Sequence, residues 1–217
     1  MSKKITITLF SMIFILLMSS SMKARANSCS DNMAMHHHEQ SHPAINEHMS
    51  IFNNLVACSQ VTVSATKSGD WFDASIWDSN EVPGSKAHVF IPKNLKVTYG
   101  AMSNARLATL RVDGTLEFLS NKNSKLMVET IVTAPDSSLI IGSKNNPIAA
   151  NKKVEIIFLD NGVIDLTKDP EQLGRGLVGH GDTIINGQEK TVFLKLKEDA
   201  KKVIQKLFFL KNLLTGV

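Results

Sequence analysis

The sequence has 217 residues, with 24 Lys and Arg against 20 Asp and Glu and a formal net charge of +4. The positive excess lies at the two ends: residues 1–26 hold four cations and no acid, and residues 190–217 hold seven lysines and two acids. The 13 cations and 18 acids between them leave a net charge of −5, which excludes a basic nucleic-acid-binding domain.

The N-terminal segment 1–26 has the pattern of a secretory signal peptide. Lys3 and Lys4 precede the apolar run 5–18, and the Ala-Arg-Ala triplet at 24–26 predicts cleavage before Asn27. The run is short for a membrane span, and an uncleaved anchor is the alternative. We therefore expect a secreted, periplasmic or cell-surface protein with no transmembrane span in the mature chain. The absence of an N-x-S/T glycosylation acceptor fits a bacterial protein.

Two cysteines, Cys29 and Cys58, are present. In an oxidising compartment they predict one disulfide, and two independent thiols are the alternative. The bridge would close a loop that is rich in histidine and methionine. Imidazole and thioether ligands suit copper, and imidazole suits zinc, so this loop is a candidate metal site. The candidate ligands are His36, His37, His38, His42 and His48.

The alternative for this loop is a solvated, flexible N-terminal segment, because the histidine spacing matches no closed structural zinc site. Apolar residues recur at helical intervals over 45–56 and predict a short helix there.

From residue 61 onward, short segments rich in Val, Ile and Leu alternate with turns, which is typical of β-strands. The predicted strands are VTVSA at 61–65, HVFIP at 88–92, LKVTY at 95–99, ATLRV at 108–112, TLEFL at 115–119, KLMVETIV at 125–132, SLIIG at 138–142 and VEIIFL at 154–159.

Two of these regions resemble each other. LRVDGTLEF at 110–118 aligns with IVTAPDSSLII at 131–141, with an offset of 21 residues from Leu110 to Ile131 and of 23 from Leu116 to Leu139. A period near this length suits one coil of a parallel β-helix. A β-sandwich would also give many short strands, and it is the alternative fold.

An ordered set of motifs resembles a known family. The motifs are SGDWFDASIWDSNEVPG at 68–84, HVFIPKNLKVTYG at 88–100, LATLRVDGTLEFL at 107–119, SLIIGSKNNPI at 138–148 and VEIIFLDNG at 154–162. Together they resemble the eight-glycine ("G-eight") domain of hyaluronan-binding and hyaluronidase-like proteins and of fibrocystin. The segment RGLVGHGDTIINGQEKT at 175–191 is also similar to the family, in which a right-handed parallel β-helix commonly follows the module.

The resemblance implies an extracellular module that faces polysaccharide, with hyaluronan as the best-known partner. It does not imply that this chain cleaves hyaluronan, because the residues proposed for catalysis in relatives lie largely in the downstream helix, most of which is absent here.

Trp71 and Trp77 are candidate ligand-binding residues, because indole rings stack on sugar faces; packing in the core is the alternative. Arg106 and Arg111 are further candidates, within a loose basic set that also includes Lys86, Lys93 and Lys96.

His180 and Asp182 are the candidate catalytic pair, because imidazole can act as a base that a carboxylate orients. An exposed pair on one strand face is the alternative. Asp160, Asp165 and Asp169 lie near Glu171, and such oxygens suit calcium, although a solvated surface is the other interpretation.

After residue 191, VFLKLK at 192–197 predicts a strand, and residues 198–217 then have the pattern of a basic amphipathic helix. This tail could cap an open β-helix, lie on a membrane surface, or result from a frameshift near Lys202 that truncates a longer protein.

The sequence thus predicts a mainly β fold: a right-handed parallel β-helix-like solenoid with a flexible or short-helical N-terminal segment and a C-terminal helix or cap. The predicted divisions are a signal peptide at 1–26, a His/Met-rich N-terminal segment at 27–60 and the eight-glycine domain at 61–162. The start of a further β-helix follows at 163–197, and a basic amphipathic tail, with the suspected frameshift, at 198–217. We expect a secreted module that binds a hyaluronan-like polysaccharide, as the N-terminal part of a larger surface or secreted protein. The alternatives are a truncated hyaluronidase-like depolymerase and a periplasmic metal-binding protein.

Overall fold

The computed structural model describes residues 29–31 and 54–189. The predicted leader, the five clustered histidines, the strand predicted at 192–197 and the predicted tail lie outside these residues, as does most of the helix predicted over 45–56. No helix within the described ranges is long and apolar enough to cross a membrane.

The described residues form strands and two short 3-10 helices, Cys58–Gln60 and Ala74–Ile76. The strands are β1 (Val63–Ser64), β2 (Gly69–Asp70), β3 (His88–Ile91), β4 (Lys96–Tyr99), β5 (Met102–Val112), β6 (Thr115–Phe118), β7 (Ser124–Thr133), β8 (Ser138–Ile141), β9 (Val154–Phe158), β10 (Leu177–Gly179) and β11 (Asp182–Ile185).

From β1 to β9, successive strands alternate between two sheets; β10 is in the same sheet as β9, and β11 is in the other. The first sheet has the order β1-β3-β5-β7-β10, with β9 also paired to β7, and the second has the order β2-β4-β6-β8-β11. Every ladder between these strands is parallel. The prediction of a mainly β fold with parallel sheets is confirmed, and the antiparallel β-sandwich is excluded for the described residues.

Each of the eight predicted segments overlaps a strand. The strands that exceed their predicted segments in length are β5 and β7, with 11 and 10 residues. β7 is long because its first half pairs with β9 and its second half pairs with β10. The sequence patterns do not predict β2, β10 and β11 as separate strands, because all three are short and contain no buried residue.

The internal repeat in the sequence coincides with the pairing register of the sheets. Leu110 pairs with Ile131 across β5 and β7, and Leu116 pairs with Leu139 across β6 and β8. These are the same two pairs that the repeat aligns in the sequence. All four side chains are fully buried between the two sheets. Like positions therefore stack from strand to strand, which produces one continuous apolar core.

An aromatic cluster fills this core beside β2 and β4. The ring centroid of Trp71 lies 4.9 Å from that of Trp77 and 5.2 Å from that of Tyr99, all near edge-to-face. The indole nitrogen of Trp77 donates to the backbone oxygen of Trp71 at 2.8 Å. This hydrogen bond satisfies the one polar atom of a fully buried indole ring, so the ring costs little to bury.

The turn between β5 and β6 leaves no room for a side chain at Gly114. A Cβ atom there would lie 2.3 Å from the backbone oxygen of Pro92 and 2.4 Å from that of Leu95. We expect Gly114→Ala to lower the free energy of unfolding by about 1–3 kcal/mol, because backbone must move to relieve the clash. Urea denaturation followed by tryptophan fluorescence measures this loss.

Gly84→Ala is the matched control, because a Cβ atom at Gly84 meets nothing within 4 Å. Its unfolding free energy should change by less than about 0.5 kcal/mol. Equal urea midpoints for the two variants would contradict the close approach at Gly114.

The buried phenol of Tyr99 makes stability depend on alkaline pH. Burial raises its pKa to about 12, and its hydroxyl donates to the backbone oxygen of Lys125 at 2.8 Å. An unfolded tyrosine has a pKa of about 10, so above that pH the unfolded chain loses the proton while the folded chain retains it. The stabilisation is complete below pH 10 and falls as the pH rises toward 12, by about 1.4 kcal/mol per unit.

The chain has one tyrosine, so phenolate absorbance reports Tyr99 alone. We expect its titration to be displaced upward in the folded protein and to be normal in urea. The melting temperature of Tyr99→Phe should fall less steeply than that of the wild type between pH 10 and about pH 12. The fall that remains in the variant comes from other titrating groups. Identical declines in the two proteins would show that Tyr99 does not produce the dependence.

Candidate functional site

A groove lies over the outer face of the first sheet, between that sheet and residues 159–176, which connect β9 to β10. It has a volume of about 250 Å³. The sheet contributes five lining residues: His88 from β3, Ala108 and Thr109 from β5, and Glu129 and Thr130 from β7.

A second cavity of about 360 Å³ adjoins this groove at Ala108, which lines both. Its other lining residues are Ser85, Lys86, Arg106 and Asn161. The backbone nitrogen of Lys86 donates to the backbone oxygen of Arg106 at 2.7 Å, which holds the two residues side by side. Both side chains are exposed. We call the two cavities together the sheet groove.

Two cations at the sheet groove have an unusual backbone conformation. Lys86 has a φ of 67° and Arg175 a φ of 59°. The left-handed region is tolerated by Asn and Asp, which occupy it at Asn80, Asn94 and Asp136, but it is uncommon for Lys and Arg. Such strain concentrates at functional sites, where the surrounding structure holds the residue in place.

His88 lines the sheet groove and has defined partners. Its Nδ1 atom is 2.9 Å from the Thr109 hydroxyl oxygen. Burial lowers the pKa of the imidazole, and this effect is opposed by the nearby Glu129 carboxylate and reinforced by Lys168. The ring is therefore mainly neutral at pH 7, where it can donate one hydrogen bond and accept another.

The segment that covers the sheet groove is fastened to the sheet through Arg175. Its Nη1 atom lies 2.8 Å from Asp160 Oδ1 and its Nε atom 4.0 Å from Glu129 Oε1, and Nη2 donates to the Gly162 oxygen. Asn161 Nδ2 donates to the other oxygen of Glu129 at 2.7 Å. Glu129 thus connects β7 to the covering segment.

The acidic run predicted as a calcium candidate has structural partners instead. Asp169 is 6% exposed and accepts hydrogen bonds from the backbone nitrogens of Leu173 and Gly174, each at 2.8 Å. Asp165 accepts from the Thr167 backbone and hydroxyl. With Asp160 held by Arg175, these carboxylates organise the chain rather than converge on an ion.

Three of the four residues predicted to contact ligand are buried, which corrects that interpretation. Trp71 and Trp77 are 2% and 1% exposed, so neither indole offers a face to a sugar. They belong to the core because the aromatic-poor sequence has few other large side chains to fill it. Arg111 is 1% exposed, whereas Arg106 is exposed and lines the sheet groove.

The other members of the predicted basic set are separated. Lys93 pairs with Asp136 at 3.4 Å, and Lys96 pairs with Glu117. These partners neutralise both lysines locally. Lys86 and Arg106 are the members of the set that the structure brings together.

Arg111 instead attaches the described N-terminal residues to the sheet. Its Nε atom donates to Asp113 Oδ1 at 2.9 Å, and Nη1 donates to Asp31 Oδ1 at 3.0 Å. Nη2 donates to the Ser30 oxygen at 2.6 Å, and the guanidinium carbon lies 5.6 Å from the Phe90 ring centre. A buried arginine requires such complete pairing to be tolerated.

The two cysteines form a disulfide next to this arginine, with Cα atoms 5.6 Å apart. Cys29, Cys58 and Asp31 are the group of three candidate metal ligands that lie within 4.8 Å of one another in the described residues. They offer no cation site in this state, because the sulfurs are bonded to each other and Arg111 holds the carboxylate.

His180 and Asp182 lie at a tight corner between β10 and β11. The His180 nitrogen donates to the Thr133 oxygen at 3.1 Å, and the Asp182 nitrogen donates to the Ser137 oxygen at 2.9 Å. A Cβ atom at Gly181 would lie 2.5 Å from that Ser137 oxygen. The backbone contacts account for the glycine between the pair, and the catalytic role stays a prediction.

Sequence reasoning missed His88, Thr109, Glu129 and Arg175. The register contains one signal that could have found part of this set: His88 pairs with Thr109, and Thr109 pairs with Thr130, at the same sequence offset as the apolar repeat. Polar residues that recur at the same offset as an apolar repeat are expected to lie side by side on the outer face of the same sheet. The covering segment carries no such signal, because it lies in an insertion between β9 and β10.

Asp169 is expected to hold the covering segment in place. Asp169→Ala leaves the nitrogens of Leu173 and Gly174 without their acceptor, which should cost about 1–3 kcal/mol. Hydrogen exchange at these two amides should accelerate, while exchange in β5 and β7 should not. Asp165→Ala is the control, because its carboxylate is exposed and water can replace it; equal acceleration in both variants at Leu173 would contradict this role.

Comparison with known proteins identifies the family. The model of the G8 domain matches residues 76–197, which is more than half of the chain. No curated protein and no solved structure matches the chain. The matched range includes Trp77, the Gly114 turn and most of the sheet groove, and it agrees with the resemblance of the sequence motifs. The chain therefore belongs to the G8 domain family.

Proposed function

We propose that this chain is an extracellular polysaccharide-binding module and that a carboxylated glycan such as hyaluronan lies in the sheet groove. Membership of the G8 domain family supports an extracellular role. The observation that carries the site is that Lys86 and Arg106 lie side by side at one end of a groove whose lining combines polar, charged and apolar side chains.

The chemistry of the sheet groove suits sugar hydroxyls and carboxylates. Because Nδ1 of His88 is paired with the Thr109 hydroxyl, its Nε2 atom can donate or accept one hydrogen bond. Lys86 and Arg106 can pair with a uronate carboxylate. Because both tryptophans are buried, recognition would depend on hydrogen bonds and charge rather than on indole stacking. Residues 27–189 are net negative, so binding of an anionic polymer requires this local pair of cations.

The fold supports the proposal through its rigidity. We interpret the alternation of parallel strands between two sheets as successive coils of a right-handed β-helix-like solenoid, in keeping with the rule that parallel crossovers are right-handed. Paired strands hold His88 and Thr109 at fixed positions along one face. A preorganised face lowers the entropic cost of binding a flexible polymer.

The double variant Lys86→Gln/Arg106→Gln tests the site. We expect its affinity for hyaluronan oligosaccharides to fall by about tenfold or more, because each charge-assisted hydrogen bond contributes about 1.5–3 kcal/mol. Isothermal titration calorimetry at low and high salt measures the loss. The wild-type affinity should fall with salt more steeply than that of the variant.

Lys122→Gln/Lys144→Gln is the matched control. Both lysines are exposed and lie outside the sheet groove, and the two substitutions remove the same charge as the test variant. Its affinity should equal that of the wild type. Equal losses in the two double variants would show that only net charge matters. Failure of the wild type to bind would overturn the proposal for this polymer.

The same mixture of protein and hyaluronan distinguishes binding from the depolymerase alternative. If the chain only binds, the length of the polymer after incubation should not change, as gel filtration can show. Shortening of the polymer that is lost in His180→Ala would favour the enzyme. The metal-binding alternative depends on histidines outside the described residues.

A further inference from the structure

The two sulfur atoms of the Cys29–Cys58 disulfide lie in different electrostatic surroundings. Arg111 Nη1 lies 3.4 Å from Cys58 Sγ, and this guanidinium is almost completely buried. Both cysteines are half-buried rather than enclosed, so a small thiol can reach the bridge. None of these contacts involves the sheet groove, and the inference does not depend on glycan binding.

We propose that Cys29–Cys58 is a thiol–disulfide exchange site, in which an external low-molecular-weight thiol bonds to Cys29 and Cys58 is the leaving thiolate. The incoming thiolate attacks Cys29 Sγ and forms a new S–S bond there. The Cys29–Cys58 bond breaks, and its electron pair remains on Cys58 Sγ. A second thiolate releases Cys29 as a thiolate and yields the free disulfide of the external thiol.

The direction of exchange follows from the charge beside Cys58. A cation that donates a hydrogen bond to sulfur stabilises the thiolate over the thiol, and the better-stabilised thiolate leaves faster. The charged groups that face this position are Arg111, Asp31 and Asp113. Asp31 Oδ1 shares Nη1 of Arg111 with the sulfur and also accepts from the Cys58 nitrogen at 3.0 Å.

Nη1 has two hydrogens and three acceptors around it, because the Val56 oxygen also lies 3.4 Å away. Asp31 therefore competes with a Cys58 thiolate for the N–H groups of this nitrogen. While the bridge is intact, the sulfur is neutral and Asp31 is the stronger acceptor. Once Cys58 becomes a thiolate, it can replace Asp31 as the partner of Arg111. Exchange would then weaken the contact that holds residues 29–31 against the sheet.

This release has a consequence for the adjoining segment. The bridge closes the loop that contains His36, His37, His38, His42 and His48. Opening it removes the covalent cross-link between the two ends of this loop. The site therefore makes the covalent restraint on this segment dependent on the thiols around the protein.

Mapping the mixed disulfide in the wild-type chain tests the direction. The oxidised protein is exposed briefly to reduced glutathione, the released thiol is alkylated, and both positions are assigned by mass spectrometry. We expect glutathione on Cys29 and the alkyl group on Cys58 in several-fold excess over the reverse pattern. Equal amounts, or an excess of the reverse pattern, would overturn the proposal.

Single-cysteine variants provide a second measurement. Cys29→Ser leaves the Cys58 thiol beside Arg111, and Cys58→Ser leaves the Cys29 thiol as its matched control. The pH profile of iodoacetamide alkylation should give a lower pKa for Cys58 than for Cys29. A Cys58 pKa equal to or above that of Cys29 would refute the role of Arg111, whatever glycan binding shows.

Asp31→Asn separates this role from a purely structural one. Removing the competing carboxylate should lower the pKa of the Cys58 thiol in the Cys29→Ser background and speed its alkylation at neutral pH. If Arg111 only packs the segment, this substitution should leave the alkylation profile unchanged, and that result would also contradict the proposal.

Discussion

Parallel register is the constraint on which the rest of this structure depends. Because like positions pair from strand to strand, Leu110 lies on Ile131 and Leu116 lies on Leu139, and the inward side chains form continuous apolar rows. The same register stacks the outward side chains. A row such as His88, Thr109 and Thr130 is therefore a direct consequence of how the core is aligned.

Two coverings divide the outer face of the first sheet, and each is attached through a charged residue. Residues 29–31 meet Arg111, and the segment from β9 to β10 is tied to Glu129 through Arg175. In both places a guanidinium pairs with carboxylates on different parts of the chain. Arg111 is buried, so removing one of its partners would leave a charge unpaired away from water. The Arg175 pairs are partly exposed, so water can replace a lost partner there. The sheet groove lies beneath the second covering.

The proposed glycan site differs from the one that the tryptophans alone suggest. Both indoles are buried in the core. The proposed recognition groups are the exposed side chains of Lys86 and Arg106 and the half-buried side chains of His88 and Thr109. Polar recognition on a rigid sheet favours a charged, hydroxyl-rich polymer over an apolar ligand. It also predicts salt-sensitive binding, since exposed cations are screened by counterions.

Local sequence pattern determined eight of the eleven described strands, the repeat offsets and the family of this protein. Short runs of Val, Ile and Leu separated by glycine turns indicate where the strands lie. The sequence offset between Leu110 and Ile131 equals the offset at which β5 and β7 pair. Tertiary structure alone decided which side chains face solvent at the site. Arg106 and Arg111 lie on the same strand, yet one is exposed and the other is enclosed by residues 29–31. That difference depends on segments distant in sequence that cover one part of the sheet and leave another open, and no local pattern records it.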